Sequence, residues 1–229
     1  MEELKINIGE IKTLREQIAA SIRTSIIDGR IRPCERLTEE EIARQLGVSR
    51  TPVREAFFQL SSEGFVELEP RKGVIVREIS LKDAEETYEL KSVLEALAAR
   101  LAADRITPEV IAQLTAINES LYRAADEVPA DVRKILDLNG QFHDIIINAC
   151  GNTKVISQVT ALRRQTLRYN FVFISADARH RESADEHRSI IDALMRRNAD
   201  DVERLLKRHN DAALASLRTL MLSQQPTDQ

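Results

Sequence analysis

A chain of 229 residues with 43% hydrophobic and 31% charged residues has room for one large globular domain or two small ones. No apolar run reaches the roughly 18 residues that a bilayer crossing needs, and the start from Met1 to Lys5 lacks the basic and apolar regions of a signal peptide, so a cytoplasmic protein without a membrane span is expected. The net charge of −4 arises outside residues 1–77, which hold 13 Lys and Arg against 13 Asp and Glu; any affinity for nucleic acid must therefore come from a local basic patch.

In chain order, Leu14, Ile18, Ile22 and Ile26 recur at helical spacing, and Gly29 stands where a left-handed cap would close the helix. Pro33 interrupts. Thr38 opens a second helix with Glu41 three residues on, a capping-box pattern, and Gly47 ends it. Ser49 is placed to cap a third helix, whose first turn tolerates Pro52 because amides there have no intrahelical partner. Val53, Phe57 and Leu60 form its buried stripe and Gly64 stops it. The period then changes to that of two short strands, 65–68 and 74–76, joined by the basic turn Glu69-Pro70-Arg71-Lys72-Gly73. Three helices and a hairpin outline a winged helix-turn-helix.

From Ser80 onward everything reads as helix. Stretches at 81–104, 108–127, 131–150, 153–174, 184–198 and 200–222 carry apolar residues three and four apart, with start signals at Thr107-Pro108, at Ser183 with Glu186 and at Asp200 with Glu203. Residues 224–229 read as a frayed tail. The expected fold is mainly α: an N-terminal winged helix-turn-helix in residues 1–77 and a C-terminal all-α bundle of six or seven helices in residues 78–229. Cys34 and Cys150 lie far apart and form no C-x-x-C pair, which speaks against a disulfide framework or a cysteine-based zinc site.

Residues 44–54 carry three arginines and no acid. Arg50, Thr51 and Arg54 share the polar face at the front of the third helix, and a spacing of one turn lets both guanidinium groups enter one groove. Arginine there suits bidentate contact with guanine or phosphate, while the hydroxyls of Ser49 and Thr51 suit phosphate oxygens. Arg71 and Lys72 on the hairpin tip extend the reach to the minor groove or the backbone. Thr38 and Pro52 complete the expected DNA-contacting set.

Three of the four histidines fall on apolar stripes: His143 among Leu136, Phe142 and Ile146, His187 ahead of Ile190 and Leu194, and His209 after Leu205 and Leu206. His187 and His209 stand equally far from a tight turn near Asn198, so an antiparallel hairpin brings them to one level. Asn139 and His143 share a helix face. Three helices thus aim three imidazoles and one carboxamide at one point, a donor set that suits Zn²⁺ or Ni²⁺. A hydrogen-bonded core histidine is the alternative for each taken singly. His180, between Arg179 and Arg181, reads as a solvated loop residue, and Cys150 is too far along its helix to share a metal with His143.

The stretch from Leu37-Thr38-Glu39-Glu40-Glu41 through Gly47-Val48-Ser49-Arg50-Thr51-Pro52-Val53-Arg54-Glu55-Ala56, followed by Glu63-Gly64-Phe65-Val66 and Arg71-Lys72-Gly73-Val74-Ile75-Val76, resembles the N-terminal domain of GntR-family transcriptional regulators over nearly all of residues 10–77. The resemblance implies that Arg50, Thr51, Arg54, Lys72 and Gly73 contact DNA. One departure is Cys34, which stands after Pro33 where the family usually has Gly; a positive φ there would add strain.

Glu89-Leu90-Lys91, Leu94-Glu95, Asn139-Gly140-Gln141-Phe142-His143 and Glu186-His187-Arg188-Ser189-Ile190 look like the FCD effector-binding domain of the FadR-type branch, over about residues 81–220. That resemblance implies a metal held at Asn139, His143, His187 and His209, with Asn139 where many relatives have Asp. It also implies an effector carboxylate near Lys91, where the family often has Arg. The function expected is a ligand-responsive repressor, a homodimer on a two-fold operator in double-stranded DNA, with a small carboxylate effector. Two alternatives stand beside it. One is a regulator whose pocket holds no metal. The other is a metal-dependent enzyme with a DNA-binding appendage, against which stand the missing H-E-x-x-H helix and the position of Glu186, which next to His187 points elsewhere.

Overall fold

The computed structural model describes residues 13–70, 72–169, 172 and 179–223. Two units divide the chain, Met1–Glu78 and Ile79–Gln229. Arg71 and the tail at 224–229 lie outside the described residues.

In the first unit, helix α1 (Leu14–Ile27) is opened by Thr13, whose hydroxyl accepts from the Glu16 amide while the Glu16 carboxylate accepts from the Thr13 amide. Helix α2 (Glu39–Leu46) is capped by Thr38, which accepts from the Glu41 amide at 3.2 Å, and closes at Gly47 with φ 66. Helix α3 (Arg50–Ser62) has Ser49 at its N-cap but no side-chain capping bond. The reason is chemical. The third helical residue is Pro52, which has no N–H for the Ser49 hydroxyl to accept from.

The wing is one strand richer than expected. β1 (Arg36–Leu37), β2 (Val66–Glu69) and β3 (Gly73–Val76) form an antiparallel sheet in the order β1-β3-β2, with Leu37 opposite Val74 and Val66 opposite Val76. Two residues are too few to show strand periodicity, so β1 left no signal in the sequence. Its close approach to β3 requires Gly73: with φ +92, a Cβ there would stand 2.3 Å from the Leu37 carbonyl oxygen. Cys34 does take a positive φ, of 65, and its amide donates to the Val76 carbonyl at 2.9 Å. Ile18, Ile22, Val53, Phe57, Leu60, Phe65 and Val74 fill the core. Arg23 clamps α1 to the end of α3 through a two-nitrogen contact with Glu63.

The second unit is helical: α4 (Leu81–Ala103), α5 (Pro108–Asp126), α6 (Val132–Ala149), α7 (Thr153–Thr166) with a 3₁₀ turn at Leu167–Tyr169, α8 (His180–Met195) and α9 (Ala199–Ser223). Buried alanines on α4, Ala98, Ala99, Ala102 and Ala103, let the helix approach its neighbours closely around Phe142, Ile146, Ile190, Leu194 and Leu206. Three boundaries differ from expectation. α8 begins at His180, so His180 is helical and Ser183 lies inside the helix rather than capping it. α9 is capped by Asn198, whose side-chain oxygen accepts from the Asp201 amide at 3.2 Å. The helix expected over 153–174 passes into the 3₁₀ turn after Thr166. Among the described residues no helix is long and apolar enough to cross a membrane.

Gly73→Ala is expected to destabilise the wing by about 1–3 kcal/mol, through the left-handed backbone and the clash with Leu37. Native-state amide exchange across β1 and β3 measures it; unchanged rates in the variant would contradict the close approach.

Candidate functional site

The first unit gathers Arg36, Arg44, Arg50, Arg54 and Lys72 around one open groove. Arg50 is the first residue of α3 and Arg54 follows one turn later; both are exposed, as are Ser49 and Thr51, while Pro52 is half-buried. Lys72 is exposed on the wing turn, where its amide donates to the Glu69 carbonyl at 3.0 Å. Thr38, Arg50, Arg54, Lys72 and Gly73 line a single groove between α2, α3 and the wing. The arginines do not stand alone there. Arg54 donates through Nε and one terminal nitrogen to the two oxygens of Glu39, each at 2.8 Å, and Arg50 pairs with Glu40 at 2.9 Å. The Arg54 hydrogen bonds hold Glu39 below the usual carboxylate range against the opposing effect of burial. Nothing in the order of three successive glutamates marks which of them turn toward α3, so these pairings were not legible in the sequence.

In the second unit α6, α8 and α9 bring His143, His187 and His209 together, all buried, with one ligating nitrogen of each within 4.8 Å of the others. His143 Nε2 and His209 Nε2 are 3.2 Å apart. His209 Nδ1 lies 2.7 Å from Glu186 Oε2 and Arg179 lies 2.5 Å from the other Glu186 oxygen. Glu186 does point away from His187, and what it reaches is His209. The carboxylate accepts a hydrogen bond from an Nδ1–H, the tautomer that turns the Nε2 lone pair of His209 toward the cluster. His187 is fully buried and stacked on Phe142, with ring centroids 3.8 Å apart and planes 7° apart. Among the described residues neither of its ring nitrogens has a hydrogen-bond partner. Asn139 is half-buried, and its side-chain oxygen accepts from the Ser183 hydroxyl at 3.4 Å. Cys150 is buried apart from the cluster, its thiol directed at the Asn152 carbonyl.

Beneath His143 runs a polar layer that sequence reasoning missed. Glu95 is fully buried. Its Oε2 accepts from Lys91 at 3.0 Å and from Asn210 at 2.9 Å, and lies 3.5 Å from His143 Nδ1. Its Oε1 faces Arg163 Nε at 3.6 Å. Lys91 also donates to Asn210 at 2.6 Å. Burial pushes the Glu95 carboxyl up, but Lys91 and Arg163 outweigh it and hold the group ionised. Arg163 is itself fixed by Asp144 at 2.6 Å and the Gly140 carbonyl at 2.8 Å. The motif fragment around Leu94-Glu95 carried no sign of this role, because a helical Glu four residues after a Lys usually forms a solvated surface pair.

Above the cluster lies a cavity of about 580 Å³ lined by His143, His209, Asn139, Lys91, Arg163, Arg164 and Arg179, with Asp137 and Asp144 at its polar edge and Tyr88, Leu121 and Ile135 among its apolar walls. His180, expected in a solvated loop, is half-buried and lines it too. The arrangement offers cationic side chains and imidazole edges to an anion of modest size.

The comparisons with known proteins match this architecture. Residues 14–76 fit the model of the gntR family of bacterial regulatory proteins, and residues 86–212 fit that of the FCD domain. A probable D-xylose utilization operon transcriptional repressor of Paenarthrobacter nicotinovorans is 31% identical over 202 residues, 88% of each chain. The HTH-type transcriptional repressor RspR of Escherichia coli is 27% identical over 221 residues, 95% of this chain and 94% of its own. Among solved structures, E. coli McbR/YncC superposes with a TM-score of 0.79 at 23% identity, covering 92% of this chain and 100% of its own. A putative transcriptional regulator GntR from Rhodococcus sp. RHA1 gives 0.69 at 27% identity, covering 90% and 97%. The chain is a DNA-binding transcriptional regulator rather than an enzyme. It belongs to the GntR family, with a winged helix-turn-helix followed by an FCD domain.

Burial first, and the neighbouring His209 second, push the pKa of both His143 and His187 well below 6.5. The unfolded chain takes up these protons near pH 6.5 and the native chain does not. Their contribution to stability is therefore complete above pH 6.5 and declines as the pH falls below it, by about 1.4 kcal/mol per pH unit for each histidine. Urea midpoints of metal-stripped protein between pH 7.5 and 5.5 are expected to show this slope, and His187→Leu to halve it; a flat profile would rule out neutral buried imidazoles.

Proposed function

We propose that this chain is a ligand-responsive repressor of the cytoplasm. Its first unit reads a two-fold operator in double-stranded DNA as half of a homodimer, and its second unit binds a small carboxylate at a divalent metal. The observation that carries the second half is His187. Leaving a buried ring nitrogen unpaired costs about 1–3 kcal/mol, and a metal at the cluster would offset this for the one His187 nitrogen that carries the lone pair. Of the separations in the cluster, which span up to 4.8 Å, the 3.2 Å between His143 Nε2 and His209 Nε2 is near the edge of a tetrahedron built on Zn–N bonds, about 3.3 Å.

Imidazole nitrogens suit Zn²⁺ or Ni²⁺. His143, His187 and His209 would hold the ion, with the Asn139 carboxamide as a neutral fourth donor. When bound, it would supply a cation with open coordination positions to the cavity. The cavity's own charges favour the same class of ligand, since four Lys and Arg side chains line it against two Asp. Lys91 has one N–H beyond those given to Glu95 and Asn210, and offers a point charge to a carboxylate. Repression is supported by the names of two relatives, and dimerisation by the small number of base pairs one recognition helix reads. Regulation requires the carboxylate to bind the DNA-competent and DNA-incompetent forms unequally. A metal-free pocket is the second reading, favoured by the hydrogen bond that already joins Asn139 to Ser183.

Elemental analysis of protein purified without a polyhistidine tag is expected to find about one Zn or Ni per chain, absent from His143→Ala. Carboxylates screened by thermal shift should stabilise the metal-loaded protein and not that variant; a stabilising hit indifferent to His143→Ala supports the metal-free pocket. Arg54→Ala should weaken binding to the operator by about 1–3 kcal/mol at fixed salt.

A further inference from the structure

The grip of Glu39 on Arg54 has a direction. A guanidinium has a side edge, formed by Nε and one terminal nitrogen, and an end edge, formed by the two terminal nitrogens. Glu39 occupies the side edge with both oxygens, at 2.8 Å each. Glu39 leaves the second terminal nitrogen of the end edge uncontacted, on a side chain that is 59% exposed, whereas the Glu39 side chain is 26% exposed. Bidentate reading of guanine O6 and N7 requires one such two-donor edge held in the plane of the base pair. Glu39 is itself anchored. It is the first residue of α2, where the helix dipole favours a carboxylate, and it follows Thr38, against whose Cα Gly73 of the wing packs.

Charge supports the same role. Phosphates attract any free arginine, whatever the sequence. With Arg54 joined to Glu39 and Arg50 joined to Glu40, the reading face keeps its donors while much of its net positive charge is cancelled locally.

We propose that Glu39 is a positioning and specificity-determining residue for DNA reading: it holds Arg54 by its side edge, presents the end edge to a guanine, and lowers the attraction of that arginine for phosphates. The inference rests on the reading that α3 enters the major groove. Its mark is opposite effects on two kinds of duplex. Removing the carboxylate weakens the cognate contact, because Arg54 loses its preset orientation, and strengthens contact with unrelated DNA, because the charge is released.

The experiment starts with the wild-type full chain, used to select a preferred duplex from a random pool. Affinities for that duplex and for a scrambled one are then measured over a salt series. The set is wild type, Glu39→Gln, Arg54→Ala and the double variant. Glu39→Gln is expected to lower the preference for the selected duplex about 10-fold and to steepen the salt dependence on the scrambled duplex by up to about one ion. In the Arg54→Ala background the same change should leave the preference within about twofold. An unchanged preference and slope in Glu39→Gln overturns the proposal, and so does an equal loss in the Arg54→Ala background, which would make Glu39 a structural part of α2. Circular dichroism checks that Glu39→Gln folds. Should it not, Arg54→Lys replaces it: a lysine keeps the charge but has no side edge, so the preference should fall while affinity for scrambled DNA holds, and a preference equal to wild type overturns the proposal. A wild-type chain that enriches no sequence at all refutes the groove-reading model before any variant is compared.

Discussion

An imidazole buried without a hydrogen bond is an uncommon object, and among the described residues His187 is one. Its ring is pressed flat against Phe142 and sealed from solvent, so it cannot recover its lost hydration by moving. It stays neutral there, because burial disfavours the charged ring and His209 and Arg179 add to the cost. Around this residue the second unit arranges the rest: His143 and His209 within reach, Glu186 behind one of them and the Lys91–Glu95–Asn210 layer behind the other. The neutral state forced by burial is also the state in which a nitrogen keeps its lone pair, the form in which an imidazole could serve as a metal ligand.

The first unit solves an electrostatic problem by different means. A DNA-reading face needs cations, yet residues 1–77 carry as many acids as bases. The structure resolves this by geometry rather than by sum. Acids at the start of α2 sit against the arginines of α3, and Glu69 pairs with Arg36 on the wing. Affinity for DNA in general and discrimination among sequences are thereby set apart, since paired arginines respond less to diffuse charge than to a well-placed acceptor.

Much of this was legible in the sequence where a single physical signal dominated. Helical spacing located the long helices, Gly47 marked the stop of α2, and the symmetric placement of His187 and His209 about Asn198 foretold a shared level in the bundle. The start of α8 was misjudged because Ser183 and Glu186 mimic a capping box while both serve tertiary contacts, with Asn139 and with His209. Ser49 failed as a side-chain cap because the proline three residues on has no proton to give. The Glu95 layer and the Glu39–Arg54 pair were invisible for a common reason: each joins residues distant in sequence through side chains whose local patterns are those of ordinary solvated helix faces. His180 is the converse case, a residue flanked by arginines whose helix turns it inward onto the cavity.

Glu186 and His187 are consecutive on α8, and successive helical residues point about 100° apart. One therefore engages His209 while the other meets Phe142, and a single torsional setting of α8 satisfies both. A twist of that cylinder by even a fraction of a turn would release the clamp and the stacked ring at the same moment. The setting of α8 about its own axis thus fixes, at one stroke, the side chain behind His209 and the ring stacked on Phe142.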